Sequence, residues 1–574
     1  MFHSARFALA LGLAVLVGPV TLMTVTPAVA AVTDAAPCST QGTWRQGELN
    51  VYWFDVDQGD AQLIVGPTGK TLLVDLGENA WNAKGVNTNA TAVAAQISTI
   101  CGTGNSPVHL DYVMNSHLHL DHIGYSGNPA DTTALGNGIY QLLTPSTSGG
   151  LGFTVGQLID RDGGTWTDAN GNGTCDVGTS ADPAPEVAWN NVGTTSQTAR
   201  RWICWLYGPA SQADRAAIDG KVLTLTNNAP WPTLDLGGAA YAAIVLSNAK
   251  GVMQADGITP VSGDHSTDAT PPSENDYSTG MRLSFGGYAY ATAGDSDGEY
   301  DASAFGYTYN DVETTLISLM GKVETVRANH HGSSHSSNNL YVTGLDPQTS
   351  VISCGVNSYG HPANRVLNAF RGIAADIYLT NNPCDTDDAV GPIDYSGTFN
   401  KSGTIHLATT GAGAGYSVDY DTGTRSYVTG AGAGTNGDPT QVRVNEVLMA
   451  PSAGNEWVEL YNPTFSQVDV SGFYIDDVAA GGGAPKQIPS GTLIPAGGRW
   501  VMEFSSGFLN NTGAESVRFL SGTGANEVVH DSYSWSLSST QYDKVFHRVN
   551  DGGTWCDTIS ANLTKGTANP ATCP

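Results

Sequence analysis

Ser116-His117-Leu118-His119-Leu120-Asp121-His122-Ile123-Gly124 decides how the rest of this chain is read. Four side chains able to ligate a metal fall within six positions, directly after the apolar run Leu110-Asp111-Tyr112-Val113-Met114. At the end of an extended strand, residues two apart share a face, so His117 and His119 reach one metal together. The turn that follows swings Asp121 and His122 toward a second. Neutral imidazoles with a carboxylate suit Zn2+, and Mn2+ where oxygen ligands dominate. A solvated polar turn with incidental histidines is the competing reading, and four donors at this spacing weigh against it. The pattern implies a two-metal site of the hydrolytic kind.

Further ligand candidates follow strand-like runs, where α/β folds place their sites. The runs at 51–56, 61–65 and 71–75 read as a meander ending at Asp75, and 91–100 reads as a helix leading to the His-bearing strand. Two strands, 281–285 and 288–293, end at Gly294-Asp295. A helix near 314–320 precedes a strand at 323–328 that ends at His330-His331-Gly332-Ser333. A strand at 351–353, a helix near 364–370 and a strand at 375–379 close this block, which spans 47–427. Its middle, 125–261, is less regular and reads as partly an insertion that shapes a substrate cleft. Within it Asp168-Ala169-Asn170-Gly171-Asn172-Gly173 is spaced like half of a calcium loop. Thr179 stands where the bidentate Glu belongs, so a plain turn is preferred to a Ca2+ site at 168–176. The Gly-rich stretch 428–440 reads as a linker, and 441–574 as short strands of a β-sandwich.

The chain has 574 residues, enough for more than one domain. Residues 1–30 read as a secretory signal: a weakly basic start, an apolar run and Ala28-Val29-Ala30 as a small-x-small cleavage site. No later run is apolar enough to span a bilayer, so an exported protein is expected. All eight cysteines follow that signal, none in a Cys-x-x-Cys pair, which favours disulfides over a thiolate zinc site. Neighbour pairing, 38–101, 175–204, 354–384 and 556–573, is the simplest scheme. A formal charge of −29 offers no basic footprint for nucleic acid and argues against a DNA-binding module. It weighs less against an enzyme, whose metals set the local field.

These motifs together resemble the metallo-β-lactamase superfamily, and within it the extracellular domain of the ComEC/Rec2 DNA-uptake proteins and their secreted relatives. Asp55-Val56-Asp57-Gln58-Gly59-Asp60-Ala61 is similar to that branch's opening Asp-Val-Gly-Gln-Gly-Asp-Ala, with Asp57 in place of a glycine. Leu73-Val74-Asp75-Leu76-Gly77 resembles the motif whose Asp braces the metals. His117, His119, Asp121 and His122 match the metal-binding motif, and Ala293-Gly294-Asp295 the bridging Asp. His330-His331-Gly332-Ser333 and Tyr359-Gly360-His361-Pro362 match the closing motifs. Glu274-Asn275-Asp276-Tyr277-Ser278 stands where lactonase-type relatives carry a Gly-His-Thr-x-Gly ligand, so Asn275 is the candidate there, with His265 a weaker substitute.

The resemblance implies an α/β fold, the αββα sandwich of that superfamily, with metals on His117, His119, Asp121, His122, Asn275, Asp295 and His330. Spacing leaves His330 and His331 open as ligand, and His330 is preferred. Asp75 and Asp121 would orient ligands and nucleophile, and His361, or His331 with Ser333, would steady a phosphate oxygen or protonate the leaving alkoxide. His265, His335, His530 and His547 are otherwise expected at the surface. The segment 441–574 resembles a lamin-tail domain through Val444-Asn445-Glu446-Val447 and Glu456-Trp457-Val458-Glu459-Leu460-Tyr461-Asn462-Pro463, which implies an immunoglobulin-like sandwich that binds a surface or polymer.

The leading expectation is therefore a secreted phosphodiesterase, most simply a nuclease on DNA or RNA acting through a metal-activated water. A phosphorylcholine-esterase-like hydrolase of cell-wall or lipid phosphodiesters is the second. A cell-surface binding protein with a structural metal is the third, although structural zinc sites are usually closed four-ligand sites. No oligomeric state follows from the pattern.

Overall fold

A computed structural model describes residues 37–574 except 81–82, 84, 105, 127–135, 172, 174, 176–185, 192–194, 210–212, 227–230, 252–264, 269–271, 299–309, 383, 385–391, 400–402, 412–414, 430–438, 464–467, 480, 495–496, 505–506 and 571. The signal reading at 1–30 and most of the linker reading at 428–440 thus lie outside the described residues, as does part of the calcium-loop reading.

Side-chain alternation builds two facing sheets. In strand Leu49–Trp53, Leu49, Val51 and Trp53 enter one apolar core while Tyr52 enters another. Ile64, Leu72 and Val74 join the first three, whereas Leu63, Val65 and Leu73 join Tyr52. This two-residue period marks strands buried on both faces. The first sheet runs Gly423–Tyr427, Tyr416–Tyr420, Ile405–Thr409, Leu49–Trp53, Ala61–Val65, Thr71–Leu76, His109–Met114, Thr154–Asp160, Val222–Thr224. It is antiparallel up to Thr71–Leu76 and parallel beyond. The second runs Lys250–Gly251, Ala240–Ser247, Gly280–Phe285, Tyr288–Thr292, Thr325–Arg327, Thr349–Ile352, Asp376–Leu379, Thr398–Phe399, and it too turns parallel after Tyr288–Thr292.

Helices cover both outer faces. Thr88 caps helix Asn89–Ile100 by accepting the Thr91 N–H, and Ala90, Val93, Ala94 and Ile97 face the first sheet's outer core. Leu316 and Met320 of Glu313–Met320, Tyr341 and Leu345 of Asn339–Leu345, and Val366 and Phe370 of Asn364–Gly372 fill the core on the second sheet. The inner core draws Trp53, Met114 and Ile159 from one sheet and Ile244, Leu283 and Tyr290 from the other. The result is four layers, helix–sheet–sheet–helix, and the expected strands and helices of 47–427 fall within a few residues of their positions.

The middle stretch is more integral than expected. Thr154–Asp160 and Val222–Thr224 belong to the first sheet, and Thr233–Gly237 and Ala240–Ser247 to the second. A hairpin of Gly164–Trp166 with Val187–Trp189 and helix Gln197–Tyr207 are the additions to this frame.

Beyond residue 438, two four-stranded antiparallel sheets share one core. Val444, Val458 and Phe546 contribute from one, and Ile475, Phe519 and Trp535 from the other. Trp457 is buried with Leu448 and Val545, as core packing requires. Four disulfides join Cys38–Cys101, Cys175–Cys204, Cys354–Cys384 and Cys556–Cys573, the neighbour scheme, and suit an extracellular protein. Among the described residues no helix is long and apolar enough to cross a membrane.

Candidate metal centre

Five chain segments meet where the strands end. Asp75 sits one residue before the end of Thr71–Leu76, with a left-handed φ of 58° that aims its carboxylate across to the next strand's exit. There its Oδ1 accepts the Ser116 N–H at 2.6 Å and its Oδ2 accepts the Ser116 hydroxyl at 2.6 Å and His122 Nδ1–H at 2.8 Å. Ser116 Oγ is also 3.1 Å from His117 Nδ1, so the serine passes the same orientation to that ring. His331 Nδ1–H donates to the Ser353 carbonyl at 2.8 Å. All three rings have Nδ1 anchored and Nε2 turned inward, the tautomer a metal ligand needs.

The inward nitrogens converge on one carboxylate oxygen. Asp295 Oδ2 is 3.2 Å from His122 Nε2, 3.5 Å from His331 Nε2 and 3.9 Å from both His117 Nε2 and His330 Nε2. Asp121 Oδ2 lies 3.4 Å from His331 Nε2, and His119 Nδ1 is 3.0 Å from His117 Nε2. Asp121, His122, Asp295 and His331 bring their ligand atoms within 4.8 Å of one another. Four imidazoles and two carboxylates around this point fit a pair of divalent cations by donor chemistry.

Charge follows the same geometry. Burial, then the neighbouring His122 and His119 charges, pushes His117 well below its usual range and leaves it neutral. Burial opposes ionisation of Asp295, but His122, His331 and His330 outweigh it and hold the carboxyl well below the usual range. On its other side, Asp295 Oδ1 is 3.4 Å from the buried Arg327 guanidinium, whose Nε is 3.2 Å from Asp60 Oδ2. Asp60, inside the opening motif, also accepts the Ser353 hydroxyl at 2.7 Å, which ties that motif to the His331 anchor.

Both candidates of the closing motif reach the Asp295 oxygen, His331 Nε2 at 3.5 Å and His330 Nε2 at 3.9 Å. His330 and His331 have φ of 49° and 52°, and this tight left-handed turn sends the two rings apart. His331 joins Asp121 and His122, whereas His330 Nδ1 turns to Asp297 Oδ1 at 3.3 Å. Asn275 is brought to His330, with Nδ2 3.4 Å from both ring nitrogens, rather than to His117 or His119. His335, expected at the surface, is buried against Asp297 at 2.8 Å, and His547 is buried in the C-terminal sheet pair. His265 and His530 are half-buried. His361 is buried with its ring centroid 5.3 Å from His330. Burial first, then His330, His331 and His335, pushes it well below its usual range, so it meets a substrate as a neutral ring.

Some supporting residues escaped the sequence reading. Glu274 Oε1 accepts the Leu118 N–H at 3.0 Å between the two leading histidines and pairs with the buried Arg161. Burial, then the Asp297 charge, pushes Asp276 up to about 8. Only the position of these residues after strands or in the Asn275 motif could have flagged them.

A cavity of ≈ 570 Å³ opens beside Asp121, which is 32% exposed to it. Asp57, Gln58, Glu78, Asn79, Asn357 and Tyr359 stand in its wall, and among the described residues the wall contains no Lys or Arg. Among the described residues of 125–261, none stands in this wall.

No protein-family model matches the chain, and no curated protein matches it. Among solved structures it is similar to CmlA, a diiron beta-hydroxylase from Streptomyces venezuelae, at 14% identity and TM-score 0.26, covering 57% of this chain and 48% of that one. A single-residue mutant of CmlA gives 13% identity, TM-score 0.27, and coverage of 58% and 53%. The chain thus spans about half the length of these structures. Likeness at this level adds no argument to the geometry above.

Proposed function

We propose that the chain is a two-metal phosphodiester hydrolase of the metallo-β-lactamase type, with a nucleic acid strand as its leading substrate. The observation that carries this reading is the convergence of His122, His331 and His117 on Asp295 Oδ2, within 3.9 Å. His122, Asp121 and His331 would hold one cation, His117 and His119 the other, and Asp295 both. When bound, such cations polarise a phosphoryl oxygen and supply a water acidic enough to attack near neutral pH. Asp75 and Ser116 fix the tautomers of His122 and His117, and the Ser353 carbonyl fixes that of His331. Arg327 balances the Asp60 and Asp295 carboxylates below the site. His361, neutral and near the closing loop, would offer an N–H to a phosphate oxygen rather than a proton to the leaving alkoxide. The four-layer frame and the motif order support the family, and the resemblance supplies the substrate.

One observation favours a second reading. The cavity beside Asp121 has Asp57, Glu78 and the 67%-exposed Tyr359 in its wall and, among the described residues, no basic one. That lining suits an alcohol group bearing a quaternary ammonium better than a run of phosphates.

The test is hydrolysis of bis-p-nitrophenyl phosphate, plasmid DNA and p-nitrophenyl phosphorylcholine with Zn2+ or Mn2+, beside His119→Ala and Asp295→Ala. Metal-dependent cleavage of DNA and the small diester, lost in both variants, is the expected result. Preference for the choline ester selects the second reading. Failure on all three substrates refutes the hydrolase and favours a binding protein with a structural metal.

A further inference from the structure

Beside the pair lies a second group of ligand-competent side chains that shares no residue with Asp121, His122, Asp295 and His331. Asp297, His330 and His335 bring one ligand atom each within 4.8 Å of the others. Both rings present Nδ1 to the same oxygen, Asp297 Oδ1, His330 at 3.3 Å and His335 at 2.8 Å. Two ligands on one tetrahedral zinc, each bonded at about 2.0–2.1 Å, stand roughly 3.3 Å apart. His330 already has that spacing, and His335 reaches it by backing off about half an ångström.

Charge balance and unpartnered donors point the same way. Asp297 is fully buried, and among the described residues its ion-pair partners are these two imidazoles. Arg327 is engaged with Asp60 and Asp295 instead. A cation held at these atoms would give the buried carboxylate a full charge partner. Around the cluster, Asn275 Oδ1 and His361 Nδ1 are buried with no hydrogen-bond partner. Both belong to side chains against His330, by the 3.4 Å Asn275 contact and the 5.3 Å ring separation of His361. Two further donors are thus at hand to complete a coordination shell.

We propose that Asp297, His330 and His335 form a third cation site, separate from the pair, that takes a divalent ion of the zinc or manganese class. The site goes beyond the hydrolase reading; the count of three equivalents rests on the two-cation centre of that reading, whereas the position of the ion does not. Its ion would add positive charge next to Asp295, and so give an anionic group beyond the reacting phosphate a place to rest.

Metal content and position test this on the full chain. After saturation with zinc and removal of excess, elemental analysis is expected to find three equivalents per chain, falling to two in His335→Ala. Asp121→Ala is expected to keep the equivalent that His335→Ala loses. Zinc-edge anomalous scattering from crystals of the unaltered protein is expected to give a peak bounded by Asp297, His330 and His335, and it decides the matter if His335→Ala fails to fold. Two equivalents in both unaltered protein and His335→Ala, or a third peak anywhere else, overturns the proposal and leaves the cluster as hydrogen bonds. Metal binding at this cluster without phosphodiester cleavage would sink the hydrolase reading alone.

Discussion

Asp75→Asn isolates the orienting role of one buried carboxylate. Asn tolerates the left-handed φ of 58° at this position as Asp does, so the backbone is not forced to move. The change acts through hydrogen-bond polarity. Ser116 N–H is fixed by the backbone and points at Oδ1 from 2.6 Å, so the amide oxygen of Asn must stay on that side. Its NH2 then faces the Ser116 hydroxyl and His122 Nδ1, where the carboxylate had accepted at 2.6 and 2.8 Å. The hydroxyl can rotate, but the imidazole can avoid a donor–donor clash only by moving its proton to Nε2. That proton points at Asp295 Oδ2, 3.2 Å away, and occupies the lone pair needed for a metal. Orienting partners of this kind carry roughly 10–100-fold in metal affinity, or about 1.4–2.8 kcal/mol. Competition titration with a zinc chelator is expected to show that loss, with the circular dichroism spectrum unchanged. Affinity within a factor of about two of the unaltered protein would refute the claim that Asp75 sets the tautomer of His122.

Three further outcomes follow from packing and charge. In Gly77→Ala the new Cβ would overlap the Asp121 carbonyl, which also accepts the Asp60 N–H; a loss of about 3 kcal/mol in urea unfolding is expected, and a loss under 1 kcal/mol contradicts the close approach. Arg161→Met takes the guanidinium from the buried Glu274 and should cost about 3–5 kcal/mol; adding Glu274→Leu should restore part of the loss, and strict additivity would show that the pair is not coupled. His406 is held down to about 4 by burial and then by Arg45, against the pull of Asp419. The unfolded chain therefore takes up a proton first as pH falls, so this contribution is complete above pH 6.5 and drains away toward pH 4, by about 3 kcal/mol. His406→Gln should flatten the stability slope in that window, and an unchanged slope would remove His406 from the account.

The local patterns were legible because each is enforced within a few residues. Period-two apolar runs could only be strands, and Ala90, Val93, Ala94 and Ile97 could only be one face of a helix. His117, His119, Asp121 and His122 lie on one strand exit, so their proximity is covalent as much as it is tertiary. The cysteine scheme succeeded because each partner was also the next in sequence. His330 and His331 are the opposite case. Adjacent residues in a turn differ in direction by a backbone rotation that spacing does not encode, and here φ of 49° and 52° with the Ser353 carbonyl from the following strand turns His331 inward. His335 and Asp297 became partners for the same reason, through a loop folded back between strand ends. The chain by itself therefore determined its strands, its leading donor set and its disulfide neighbours. The close packing of segments hundreds of residues apart alone decided how near His331 and His330 each come to Asp295, where Arg327 spends its charge and what lines the cavity.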